Sequence, residues 1–180
     1  MNLRRVLGRF GGDRRGVSAV EFALLAPLMI TLYVGCAEIS DGVAADRKVS
    51  LTAAALANLA AQVTTISSTD MTNILDASSA IIAPYSTSQL SITLSCINID
   101  ANRNATVKWS VTRGGTARSG SITVPSALAV ASTQLLLGEA TYQYRPTVGY
   151  TVTGTLNLSD RMYMSPRITA PTYNSTSCSS

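Results

Sequence analysis

A single carboxylate, Glu21, sits near the start of the apolar run in RRGVSAVEFALLAPLMITLYVGCAEIS, residues 14–40. An acid placed inside a membrane-length apolar segment is costly, so it points to a partner and a function. The rest of the chain offers little other chemistry. It has no histidine to serve as a base, and no Ser-x-x-Lys occurs. The acids beyond residue 16 are scattered, and no pair of them is placed by periodicity inside one cleft. Gly114-Gly115 has neither a following Gly-Lys nor a helix, so it is no phosphate loop. No enzyme activity and no cofactor are expected. Three cysteines are present, Cys36, Cys96 and Cys178. None forms a Cys-x-x-Cys, and without histidine a zinc site is not expected. Cys96 and Cys178 can form a disulfide if the body lies outside the cytoplasm. The other reading is a buried free thiol at 96 and an unpinned one at 178.

The elements that must position Glu21 come next. Charged residues make up only 13% of the 180 residues, and the mean hydropathy is +0.23, which hints at a membrane segment. The formal charge is +4. Arg4, Arg5, Arg9, Arg14 and Arg15 against Asp13 account for all of it, so the chain after Gly16 is formally neutral. No basic stripe with interleaved aromatics is left in the body, and nucleic acid is excluded as a partner. Val17 to Ala37 carries one charge and spans about 30 Å as a helix, the hydrocarbon thickness of a bilayer. The arginines ahead of it hold that end in the cytoplasm by the positive-inside rule. Pro27 inside the span is tolerated as a kink. Two export signals compete with an anchor. Gly35-Cys36-Ala37 has the small residues of a cleavage site, and Tyr33-Val34-Gly35-Cys36 approaches a lipoprotein signal. Both leave Glu21 unexplained. Beyond the span, Val49, Thr52, Leu56, Leu59, Val63 and Ile66 form one helical stripe, which extends the helix to about residue 66 and about 75 Å.

Ser67-Ser68-Thr69-Asp70 breaks this helix and can cap a second one carrying Met71, Ile74, Leu75, Ser78, Ile81 and Ile82. From Gln89 the period changes to two. Leu90, Ile92, Leu94 and Cys96 alternate with polar residues, and after a hairpin at 100–104 so do Val107, Trp109 and Val111. Further strands are expected near 133–145 and 153–164. The fold class is α+β: a long N-terminal transmembrane and stalk helix, a short second helix and a small antiparallel sheet of about four strands.

Arg14-Arg15-Gly16 followed by Val17-Ser18-Ala19-Val20-Glu21-Phe22 and an apolar helix resembles the class III signal of type IV prepilins. Phe22 after the glutamate looks like the variant of the tight-adherence (Tad/Flp) branch. Tyr142-Gln143-Tyr144-Arg145-Pro146 and Met162-Tyr163-Met164-Ser165-Pro166-Arg167 look like late-strand signatures of TadE-like minor pseudopilins. The head is also too large for a major Flp pilin. A related group carries a D-x-S-x-S metal site, but Asp76-Ala77-Ser78-Ser79-Ala80 lacks the last serine, so no metal is expected.

The resemblance implies a prepilin peptidase cut between Gly16 and Val17, with Glu21 and Phe22 serving assembly. With the patterning above, this divides the chain into a leader at 1–16, a membrane helix at 17–37, a stalk at 38–66, a head at 67–171 and a Ser/Thr-rich tail at 172–180 that is flexible unless Cys178 pins it. The implied partners are the peptidase, other pilin or pseudopilin subunits and an inner-membrane assembly platform. The implied location is the bacterial inner membrane with a periplasmic head, or the pilus after assembly. The physical logic follows the same line. Cutting at Gly16 removes the arginines that lock the helix in the bilayer. It also exposes an ammonium on Val17 that Glu21, of the same or a neighbouring chain, can neutralise once buried in a bundle. Such a pair would set the register between subunits. Two alternatives stay open: an uncut single-pass envelope protein with a partner-binding head, and an exported soluble or lipidated domain released near residues 35–37.

Overall fold

Forty-seven consecutive residues, Arg15–Ala61, form α1. The computed structural model describes residues 15–147 and 154–179, and most of the expected arginine-rich leader, residues 1–14, lies outside them. The apolar half of α1 carries Pro27, yet the helix continues through it. Two of its hydroxyls bond back to the carbonyl one turn earlier, as suits an apolar medium. Thr31 Oγ1 donates to the Pro27 carbonyl and Ser40 Oγ to the Cys36 carbonyl, each at 2.8 Å.

The upper half of α1 lies on a sheet. Ala45, Val49, Thr52, Ala53, Leu56, Ala57 and Ala60 are fully buried, at spacings of three and four that keep them on one face. Most are small, so backbone and sheet approach closely. One close approach is at Gly138, where a Cβ would sit 3.0 Å from the Ala57 nitrogen and 3.2 Å from its Cβ.

α1 ends at Ala61, short of the expected residue 66. Val63-Thr64-Thr65-Ile66 is a β-branched run, which loses side-chain freedom in a helix and suits extended chain. Thr65–Ile66 forms β1 instead. Ile66 is nevertheless buried, so the stripe marked a core position correctly while the backbone reached it as a strand. α2, Ser68–Ser79, starts with a capping box: Ser67 Oγ accepts from the Asp70 amide, and the Asp70 carboxylate accepts from the Ser67 amide. Ser67 Oγ also donates to the Asp70 carboxylate at 2.7 Å, and this bond, with the one from the Ser67 amide, lowers the Asp70 pKa.

β2 (Leu90–Ile99), β3 (Ala105–Arg113), β4 (Gly120–Ser121), β5 (Thr133–Tyr144) and β6 (Leu156–Met164) form an antiparallel sheet in the order β4-β3-β2-β5-β6. It has five strands rather than about four. The extra one, β4, is two residues long, too short for alternation to register in sequence. β7 (Thr172–Tyr173) pairs in parallel with β1.

Leu90, Ile92, Leu94, Cys96, Leu136, Ala140, Tyr142 and Tyr144 face α1 in the main core. At the far end Ile97, Ile99, Leu135 and Leu137 form a second cluster with Val124 on the opposite face. Trp109 joins the first cluster and Val107 the second, although simple alternation puts both on one face. The register shift between Cys96 and Ile97 explains this: Cys96 opposes Trp109 and Ile97 opposes Val107. Lys108 is the extra residue of a β-bulge.

Candidate assembly site

The first turns of α1 carry the four residues singled out for processing and assembly. Val17 and Glu21 are four apart, so they lie on one face, one turn from each other. Both are exposed, and Phe22 is 70% exposed. Among the described residues the Glu21 carboxylate has no hydrogen-bonding or ionic partner. A Cβ added at Gly16 would meet nothing within 4 Å, so the fold gives no steric reason for glycine there. The apolar wall continues upward through Leu24, Leu28, Leu32 and Tyr33, all more than half exposed. α1 is long and apolar enough to cross a membrane.

The head closes on itself away from this surface. Cys96 and Cys178 are bonded, with Cα atoms 5.9 Å apart, and both are fully buried. Pro171 accepts a 3.2 Å hydrogen bond from Trp109 Nε1, and Tyr173 stacks obliquely on Trp109 at 5.7 Å. The last residues through Ser179, expected to be free unless Cys178 pinned them, are thus fastened to the core. The hinge after α1 is tied to the same segment. The Arg167 amide donates to the Ala61 carbonyl at 3.1 Å, and its guanidinium reaches Asn58 Oδ1 at 2.8 Å. Asp76, rejected as a metal ligand, lies on α2 and accepts from Arg113 at 2.5 Å.

Where α1 leaves the expected span, three tyrosines gather. Tyr85 lies 6.1 Å from Tyr142 and 6.3 Å from Tyr144, and its hydroxyl donates to the Asp41 carbonyl at 3.1 Å. Burial pushes the pKa of all three upward. Beside them an apolar groove of about 510 Å³ separates α1 from the ends of β5 and β6. Sequence reasoning did not single out this groove or Gly138. Gly35 and Gly42, seven apart and so on one helical face, were the available signal for the groove. Gly138 inside a predicted strand was the signal for a close approach.

A helix long and apolar enough to cross a membrane continues as the spine of an α+β head, which points to a membrane-associated protein. Residues 16–58 match the TadE family model, described as TadE-like protein. The match runs from the glycine at the expected cut through most of α1, so this stretch is similar to TadE-like proteins of the Tad pilus. The strand motifs at 142–146 and 162–167 lie outside the matched stretch. Neither the curated proteins nor the solved structures yielded a match.

Proposed function

We propose that the chain is a minor subunit of a Tad/Flp-type pilus, cut by a prepilin peptidase between Gly16 and Val17. It takes part in initiating, capping or regulating a filament that serves surface adherence. The observation that carries this reading is the TadE-like match, which begins at Gly16 and follows α1. The surroundings agree with it. Among the described residues nothing packs against Gly16 or covers the apolar wall of α1, and Glu21 is exposed one turn above Val17.

In this reading the leader arginines hold the N-terminus on the cytoplasmic side, and the head stands in the periplasm. Processing replaces them by one ammonium on Val17. When α1 enters a bundle of subunits, Glu21 loses its access to water and pairs with that ammonium on its own or a neighbouring chain. Burying either charge alone is strongly unfavourable, so subunits settle where both are matched. The partners are the peptidase, other pilin subunits and the assembly platform.

Sequencing the N-terminus of native protein tests the reading. A start at Val17 supports it. Met1 indicates an uncut envelope anchor, and Cys36 or Glu38 indicates an export signal; either result refutes the reading.

A further inference from the structure

The groove at the foot of the head has the position and lining of a lipid site. On the helix side it is walled by Ile39, Gly42 and Val43, and on the sheet side by Tyr144, Leu156 and Leu158. Ile39 is 70% exposed, and Val43 and Leu156 are also open. Its volume lies within the range of small-molecule pockets, roughly 300 to 1,000 Å³.

Its height along α1 is what identifies the occupant. Gly35, at its lower end, belongs to the apolar span 17–37, while Asp46, at its upper end, stands nine residues beyond Ala37. At 1.5 Å per residue the groove therefore runs from hydrocarbon depth to about 13 Å above it. That interval crosses the headgroup layer of a bilayer. The tyrosine cluster Tyr85, Tyr142 and Tyr144 sits at the same level, where amphipathic rings with a wet hydroxyl are favoured.

We propose that this groove binds a phospholipid of the leaflet on the head's side. An acyl chain lies against Ile39, Val43, Leu156 and Leu158, which seats the head on the bilayer instead of holding it clear on a bare stalk. The inference rests on the reading of α1 as membrane-spanning. A second copy is the less suitable occupant. Two chains in one bilayer have their helices at equal depth, so Asp41 and Asp46 of one would face the same acids of the other. Asp46 lines the upper end of the groove and suits instead the ammonium of an ethanolamine headgroup.

The test uses the full chain in vesicles of phosphatidylethanolamine and phosphatidylglycerol, with part of the phosphatidylethanolamine brominated on its acyl chains. Wild type supplies the baseline. Its one tryptophan, Trp109, stands at the register of Leu136, six residues along β5 from Tyr142 and so about 20 Å further from the membrane. Leu156→Trp and Tyr33→Trp each add one reporter at an exposed position. The added emission of Leu156→Trp is quenched as far as that of Tyr33→Trp, while Trp109 is spared. If Tyr33→Trp also escapes quenching, the spanning reading fails and takes the proposal with it. Quenching of Tyr33→Trp without Leu156→Trp overturns the proposal alone. So does quenching of Leu156→Trp that disappears as protein is crowded into the vesicles, because a second copy then fills the groove.

Discussion

Gly138→Ala adds one methyl group where helix and sheet backbones pack closely, and the sign of its effect is diagnostic. The new Cβ would press on the Ala53 carbonyl oxygen and stand 3.0 Å from the Ala57 nitrogen. Both are backbone atoms of α1, so no side chain can swing aside. The helix itself must withdraw by about 1 Å to restore ordinary contact. Leu56, fully buried on the same face, makes roughly 40 to 60 contacts of about 0.1–0.2 kcal/mol each, and a gap of that size forfeits a quarter or more of each well. Leu56 alone then loses about 2 kcal/mol, in line with the roughly 1–3 kcal/mol cost of overfilled cores. A yielding seam gives the opposite sign, because replacing glycine by alanine stiffens the unfolded chain and adds about 0.4–1 kcal/mol of stability. Guanidinium unfolding of the full chain in detergent, followed by Trp109 fluorescence, separates the two. The expected outcome is a lower midpoint, with stability reduced by about 2 kcal/mol. An unchanged or raised midpoint would show that α1 is not seated as described.

Three more outcomes are expected. Cys178→Ser opens a bridge across 82 residues, which by chain entropy is worth about 4.5 kcal/mol; reductant should lower the wild-type midpoint to that of the variant, and coincidence of all midpoints with untreated wild type would remove the bridge from the stability argument. Tyr85, Tyr142 and Tyr144 have pKa values raised above 10.0, first by burial. Their contribution is therefore complete below the unfolded value of about 10 and is lost as pH climbs through the higher folded values. Phenolate absorbance should show a late-ionising group that merges with the rest on unfolding, and a single transition in the folded chain would contradict this. Glu21→Ala should leave the cut after Gly16 intact but deplete the subunit from sheared filaments; normal incorporation would refute the register role.

Much of this architecture was readable from spacing. Helical periodicity announced α1 and α2, the Ser67 to Asp70 cap fell where polar residues preceded an apolar stripe, and alternation located the long strands. The misses share a cause: local pattern was overruled by a partner distant in sequence. The stripe to Ile66 reported burial, but the backbone there answers to Thr172–Tyr173. Val107 left the face of Trp109 because Lys108 bulges against Cys96 and Ile97. β4 exists only because Thr106 and Val107 offer it an edge. For the candidate site the balance is reversed. Gly16, Val17, Glu21 and Phe22 form a contiguous motif that needs no folding to be recognised. The groove draws residues from α1, β5 and β6, and in the linear sequence only the spacing of Gly35 and Gly42 on α1 hints at it.

The staple at the top of α1 has a mechanical consequence. Arg167, Thr172 and Asn174 donate their amides to Ala61, Thr64 and Ile66 respectively, so the C-terminal segment grips the chain just where the long helix ends. A pull along α1 meets the buried alanine seam in shear, with many contacts sharing the load at once. Only after that seam slips does tension reach the hinge, and there it must strain a strand pair backed by the Cys96–Cys178 bridge. Traction on the helix is thus spread across the whole head before any single strand can peel away.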